Sequence, residues 1–130
     1  MHFSFSTHGQ TKISVEGDII IVESTGPWNL EYFEALHQEL VMTIINSALD
    51  KYAVLLIPIG ETIAVHEAKD FHTEFIKKGK ACAIAVNLSQ SETPLTTQKM
   101  CKEVYKEAAL EHEFFTSTEK AKCWLKTKLQ

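Results

Sequence analysis

Residues 52–59 read Tyr-Ala-Val-Leu-Leu-Ile-Pro-Ile, and Gly60 closes the run. The stretch carries no charge, shows no polar alternation, and is far short of the roughly 20 residues of a membrane span. It predicts a central strand buried on both faces, as in a sheet with helices packed over it. Pro58 and Gly60 mark its end.

Upstream, apolar residues recur at Leu30, Phe33, Leu36, Leu40, Ile44 and Ile45. That spacing predicts an amphipathic helix from about Asn29 to Ala48, with Asn29 as N-cap. Before it, Ile13 and Val15 alternate, Glu16-Gly17-Asp18 offers a turn, and Ile19-Ile20-Ile21-Val22 resumes. This pattern predicts a hairpin, preceded by a short strand around Phe3 and Phe5 and stopped by Gly26-Pro27.

Downstream, a second helix is expected over Val65–Lys78, with Ala68, Phe71, Phe75 and Ile76 inward and Gly79 past its end. Ala81 to Val86 is expected as a strand whose alanines (Ala81, Ala83, Ala85) share a face open to close approach. Thr93-Pro94 starts a third helix with stripe Met100, Cys101, Val104, Tyr105 and Ala108. Glu113-Phe114-Phe115 is a short last strand. Thr116 and Glu119 are spaced as a capping box before a final helix that buries Ala121, Trp124 and Leu125. Strands alternating with helices predict an α/β fold, one domain over 1–130, with a mostly parallel sheet of about five strands, an antiparallel N-terminal hairpin and four helices.

Composition narrows the function. The chain has 130 residues, 45% hydrophobic and 23% charged, which suits one compact soluble domain able to bury its own core. Its 13 basic residues are all lysine against 17 acidic ones, for a net charge of −4. Without the arginine fork and with a negative balance, nucleic acid is not an expected partner. The start Met1-His2-Phe3-Ser4-Phe5 lacks the basic and apolar regions of a signal peptide. Cys82, Cys101 and Cys123 form no CxxC pair and suit a reducing compartment, buried and inert. The expected location is cytoplasmic, with no membrane span.

The ending Phe114-Phe115-Thr116-Ser117-Thr118-Glu119-Lys120-Ala121-Lys122-Cys123-Trp124-Leu125, together with the order of elements, resembles the SpoIIAA-like group of STAS-related bacterial proteins. Those domains commonly finish on an aromatic strand, a capped turn and a helix with alanine followed three residues later by Trp-Leu. The resemblance implies a βα superhelix with strands in sequential order. It also implies kinship with anti-sigma-factor antagonists and, more distantly, with lipid carriers resembling Sec14. STAS regulators carry a phosphorylatable serine in an Asp-Ser-Ser-Gly segment. The matching stretch here, 56–65, has neither serine nor aspartate, only Thr62 beside Glu61. The phosphoswitch is therefore not carried over, and Thr62 is expected to cap or turn the chain.

No nucleophile elbow or Gly-rich phosphate loop is found, so no catalytic residue, metal or cofactor is assigned. His66-Glu67-Ala68-Lys69-Asp70 departs from the HExxH zinc pattern at its last position. It would support a metal-assisted hydrolase only if that helix face were turned inward, and the apolar stripe turns it to solvent. The loops after the parallel strands should meet at the sheet's carboxyl end, where Trp28, Thr62, His66 and Asn87 would line a ligand cleft. Helices wound one way would leave the other sheet face to the N-terminal residues or to a second copy, which argues for a homodimer. The reading is a non-enzymatic regulatory or protein-interaction module, with a protein partner. Its rival is a carrier or sensor of a small apolar or lipid-like ligand.

Overall fold

The hairpin forms where the alternation places it. In the computed structural model, which describes residues 9–130, β1 (Gln10–Glu16) pairs antiparallel with β2 (Ile19–Thr25), Glu16 opposite Ile19. Gly17 turns the corner at φ +59°. The expected strand around Phe3 and Phe5 lies outside the described residues.

The remaining strands are β3 (Ala53–Ile59), β4 (Ile84–Asn87) and β5 (His112–Phe115), each parallel to its predecessor. They stand in the order β1-β2-β3-β4-β5, as the resemblance implies. The connecting helices are α1 (Leu30–Asn46), α2 (His66–Lys78) and α3 (Pro94–Glu107), and α4 (Thr118–Leu129) follows β5. Asn29 caps α1, its side-chain oxygen accepting from Tyr32 N–H at 2.9 Å. No helix among the described residues is long and apolar enough to cross a membrane.

The run 52–59 is buried on both faces, as expected, and its alternation sorts two cores. Val54 and Leu56, with Ile20 and Val22 of β2, face α1, α2 and α3. Ala53, Leu55 and Ile57, with Ile19, Ala83 and Ala85, face Ala121 and Leu125 of α4. Ala83 and Ala85 do let α4 approach closely, but β4 begins only at Ile84, and Ala81, expected on the same face, packs instead into the core beneath α1 and α2. Burying Leu125 completely contributes about 2 kcal/mol of apolar transfer energy.

Several expectations need correction. Helices cover both faces of the sheet, because α4 follows the last strand and no crossover rule ties it to the side of the others. The argument that one face must await a second copy therefore falls. Phe71 and Ile45 point outward, 40% and 64% exposed, because Ala68 and Thr73 on α2 and Tyr32, Phe33, Leu36 and His37 on α1 take the buried positions. The cap of α4 is Ser117, accepting from Lys120 N–H at 3.3 Å, one residue beyond the predicted Thr116. Of the cysteines only Cys101 is buried; Cys82 is half-buried and Cys123 exposed.

Candidate functional site

The loops at the carboxyl end of the sheet do gather, and backbone hydrogen bonds stitch them shut. Gly26 N–H donates to Ile59 C=O at 3.0 Å and Trp28 N–H to Ile63 C=O at 2.9 Å. Gly60 N–H reaches Gln90 C=O at 3.0 Å, and Glu92 N–H returns to Gly60 C=O at 2.7 Å. A Cβ on Gly26 would stand 2.1 Å from the Glu61 carbonyl oxygen, so only glycine fits between the first two loops.

This closure separates the four residues read from the sequence. Thr62 is fully buried in a cluster of hydroxyls drawn from the β3–α2 and β4–α3 loops and the first turns of α3. Thr97 Oγ1 donates to the Thr62 carbonyl at 2.8 Å. Its one proton is thereby used, so at 2.5 Å it accepts from Thr62 Oγ1. Ser91 Oγ, 2.6 Å from Thr62 Oγ1, then donates to it, and accepts from Thr93 N–H at 3.1 Å. Thr62 does hold the turn, through a network satisfied from within. Asn87 is also buried; its amide donates to Thr118 Oγ1 at 3.0 Å and its carbonyl accepts from Ser89 N–H at 3.0 Å. It ties β4 to the start of α4.

His66 stands on the surface, its Nε2 3.1 Å from Asp70 Oδ2. Among the described residues no group of three or more His, Cys, Asp or Glu side chains gathers as a metal ion would require. The helix face of the near-HExxH pattern is turned to solvent, as the stripe predicted.

Trp28 alone lines a cavity, a void of about 40 Å³ beneath α1, α2 and α3 bounded also by Ser24, Leu56, His72, Met100 and Tyr105. It has room for a few waters and none for a lipid chain. Trp28 Nε1 is buried without a hydrogen-bond partner among the described residues. Beside it Thr11 Oγ1 donates to Tyr32 OH at 2.6 Å, and Tyr32 OH bonds Ser24 Oγ in turn. Burial raises the Tyr32 phenol above its ordinary range, so it stays neutral.

His37 and His72 form a pair, His37 Nε2 and His72 Nδ1 2.8 Å apart across the α1–α2 seam. Phe33 stacks on His72 with centroids 4.5 Å apart, and Phe75 on His37 at 3.8 Å. Phe71 stacks on the His37 ring at 5.1 Å. Burial lowers His37 to about 4; burial and then the neighbouring imidazole lower His72 to about 3. Both are neutral near pH 7, one donating and one accepting. Their spacing from Phe33 and Ala68, four residues in each case, was the available signal that both sit on inward flanks.

On the outer side of that seam lies an apolar ridge. Val41, Met42 and Ile45 are 43%, 53% and 64% exposed on the later turns of α1, and Phe71, 40% exposed, stands on α2 over the His37 ring. They occupy the side of α1 opposite its buried stripe, where the period of a surface helix calls for polar residues.

No protein-family model matches the sequence, and no curated protein matches it. Solved structures do. An uncharacterised DUF3478-family protein with a SpoIIAA-like fold from Shewanella loihica PV-4 superposes with a TM-score of 0.62 at 17% identity, over 96% of this chain and 99% of that one. An anti-sigma factor antagonist from Mycobacterium paratuberculosis superposes with a TM-score of 0.56 at 10% identity, over 95% and 99%. The chain has the SpoIIAA-like fold.

Proposed function

We propose that this protein is a non-enzymatic regulatory module that works through protein contacts, residues 1–130 acting as one domain. The observation that carries the reading is the ridge of Val41, Met42, Ile45 and Phe71, large apolar groups gathered where a free surface would place polar ones. The fold it shares with an anti-sigma factor antagonist, a regulator named for its effect on another protein, supports the same reading. The self-satisfied hydroxyl cluster at Thr62 and the buried Asn87 support it too, since neither offers a free group to a substrate. A homodimer is part of the proposal. So is a cytoplasmic setting, to which three unpaired thiols are suited.

The rival ligand carrier loses ground at the void under Trp28, which is too small for a lipid chain, and the larger hollow of about 390 Å³ between β1 and α1, lined by Gln10, Thr11, Tyr32 and Glu39, is open and mainly polar. Native mass spectrometry of the gently purified protein, set against its denatured mass, tests the choice. The proposal expects added mass in units of whole polypeptides. A single chain carrying a discrete small-molecule adduct that is lost on denaturation would refute it.

A further inference from the structure

Two buried hydrogen-bond donors border the void under Trp28, and the described residues supply an acceptor for neither. The first is Trp28 itself, 5% exposed, whose Nε1 can only donate and finds no partner among the described residues. The second emerges from the chain of hydroxyls beside it. Thr11 Oγ1 gives its one proton to Tyr32 OH at 2.6 Å. Tyr32 OH, the more acidic hydroxyl, then gives its own to Ser24 Oγ. The proton left over is that of Ser24, which is 2% exposed and has no further side-chain bond among the described residues. Tyr32 lines the outer hollow between β1 and α1, whereas Ser24 borders the void.

A buried donor without an acceptor loses its hydration and gains nothing in return, so folded proteins pair such groups with protein or with an enclosed molecule. The rest of the wall sets what that molecule can be. Phe33, Leu36, Leu56 and Val104 are apolar, and a volume of about 40 Å³ leaves space for a few heavy atoms. No free charge is provided for an ion. Lys69, which also borders the void, is paired with Glu103 at 2.8 Å, and His72 is neutral against His37.

We infer that the void is a binding site for one small neutral molecule whose oxygen accepts from both Trp28 Nε1 and Ser24 Oγ. Water has this chemistry, and so does an alcohol or carbonyl compound of about three heavy atoms. What the site selects is the acceptor oxygen. The guest holds the indole from within the core, at the junction where β2 passes into α1. The inference goes beyond the interaction reading and does not depend on it, since it concerns the inside of the helix layer and not its outer face.

A high-resolution crystal structure of the full chain is the test. The expected map holds an ordered peak within about 3.2 Å of both Trp28 Nε1 and Ser24 Oγ. A lone peak identifies water; density that runs on into further atoms identifies the organic guest. A void without density overturns the inference, as does a peak that reaches neither donor. Xenon gives an independent reading in solution, because it enters apolar cavities that are dry. Under xenon pressure the methyl resonances of Leu56 and Val104 should stay in place, the guest already filling the space. Shifts that saturate with xenon pressure would reveal a dry cavity and overturn the inference equally.

Discussion

Acid should unfold this protein through the His37–His72 pair, and the size of the effect follows from the geometry. Both imidazoles are neutral in the folded state because burial lowers them to about 4 and about 3. In the unfolded chain each returns to about 6.5. Below that pH the unfolded state binds two protons that the folded state does not, and the equilibrium moves toward it. The stabilising effect of neutrality is complete above pH 6.5, is lost as pH falls toward 4, and finishes near 3 once His72 is protonated in place. At pH 5 each group has crossed about 1.5 pH units, so the pair together removes at most about 4 kcal/mol relative to pH 8. That is a large share of a stability that is typically about 5–15 kcal/mol. Urea unfolding at pH 8, 6 and 5 measures it, with His37→Gln/His72→Gln as the comparison. The wild type should lose stability over this range by about two protons per molecule more steeply than the variant, whatever the variant's stability at pH 8. Equal slopes would refute the reasoning, as would imidazole resonances of His37 and His72 that titrate near 6.5 in the folded protein.

Other consequences are equally specific. Thr97→Val keeps the shape but strips Thr62 of both a hydroxyl acceptor and a carbonyl donor, and should cost roughly 3 kcal/mol in urea unfolding; a loss too small to measure would contradict the assigned network. Gly26→Ala drives a Cβ against the Glu61 carbonyl and should cost at least about 1–3 kcal/mol by forcing the two loops apart. An unchanged unfolding midpoint would show that the loops are not stitched as described. Toward a thiol reagent Cys123 should react at once, whereas Cys101, buried and pushed up to about 12, should wait for denaturant. Rapid labelling of Cys101 in the native protein would contradict its placement.

The parts of the fold legible in the sequence are those fixed by local period. The run 52–59, the hairpin around Gly17 and the small residues Ala83 and Ala85 facing α4 each prescribe their own surroundings, and the sheet order follows once crossovers are short and right-handed. The side taken by α4 was not legible, because no strand follows it to fix a handedness. Cys123 sits beside Trp124 and Leu125 in the sequence, yet Ala121 and Leu125 define the inward face and turn residue 123 away from it. Phe71 read as core by its hydrophobicity; it instead lies over the His37 ring at the rim of the seam. The hydroxyl cluster and the histidine pair were beyond reach for a common reason. Thr62 and Thr97, like His37 and His72, stand 35 residues apart, and although local spacing puts each histidine on an inward flank, nothing local says which side chain it meets. Trp28 and Thr62 lie in loops, Asn87 ends β4 and His66 opens α2, but backbone bonds between those loops fill the space in which the four would have met.

The central claim is that the outer face of α1 is covered in the working protein, and hydroxyl-radical footprinting of the intact protein tests it most directly. Leu95, 83% exposed and away from the ridge, serves as the internal reference for a free apolar side chain. The account predicts that Met42, Ile45 and Phe71 are oxidised far more slowly than their exposure in the single chain implies, while Leu95 reacts at its full rate. Protection should be lost together at all three on dilution or in Met42→Glu/Ile45→Glu at the residues that remain. Oxidation of Met42, Ile45 and Phe71 at the rates of freely exposed side chains, at every protein concentration, would contradict the claim.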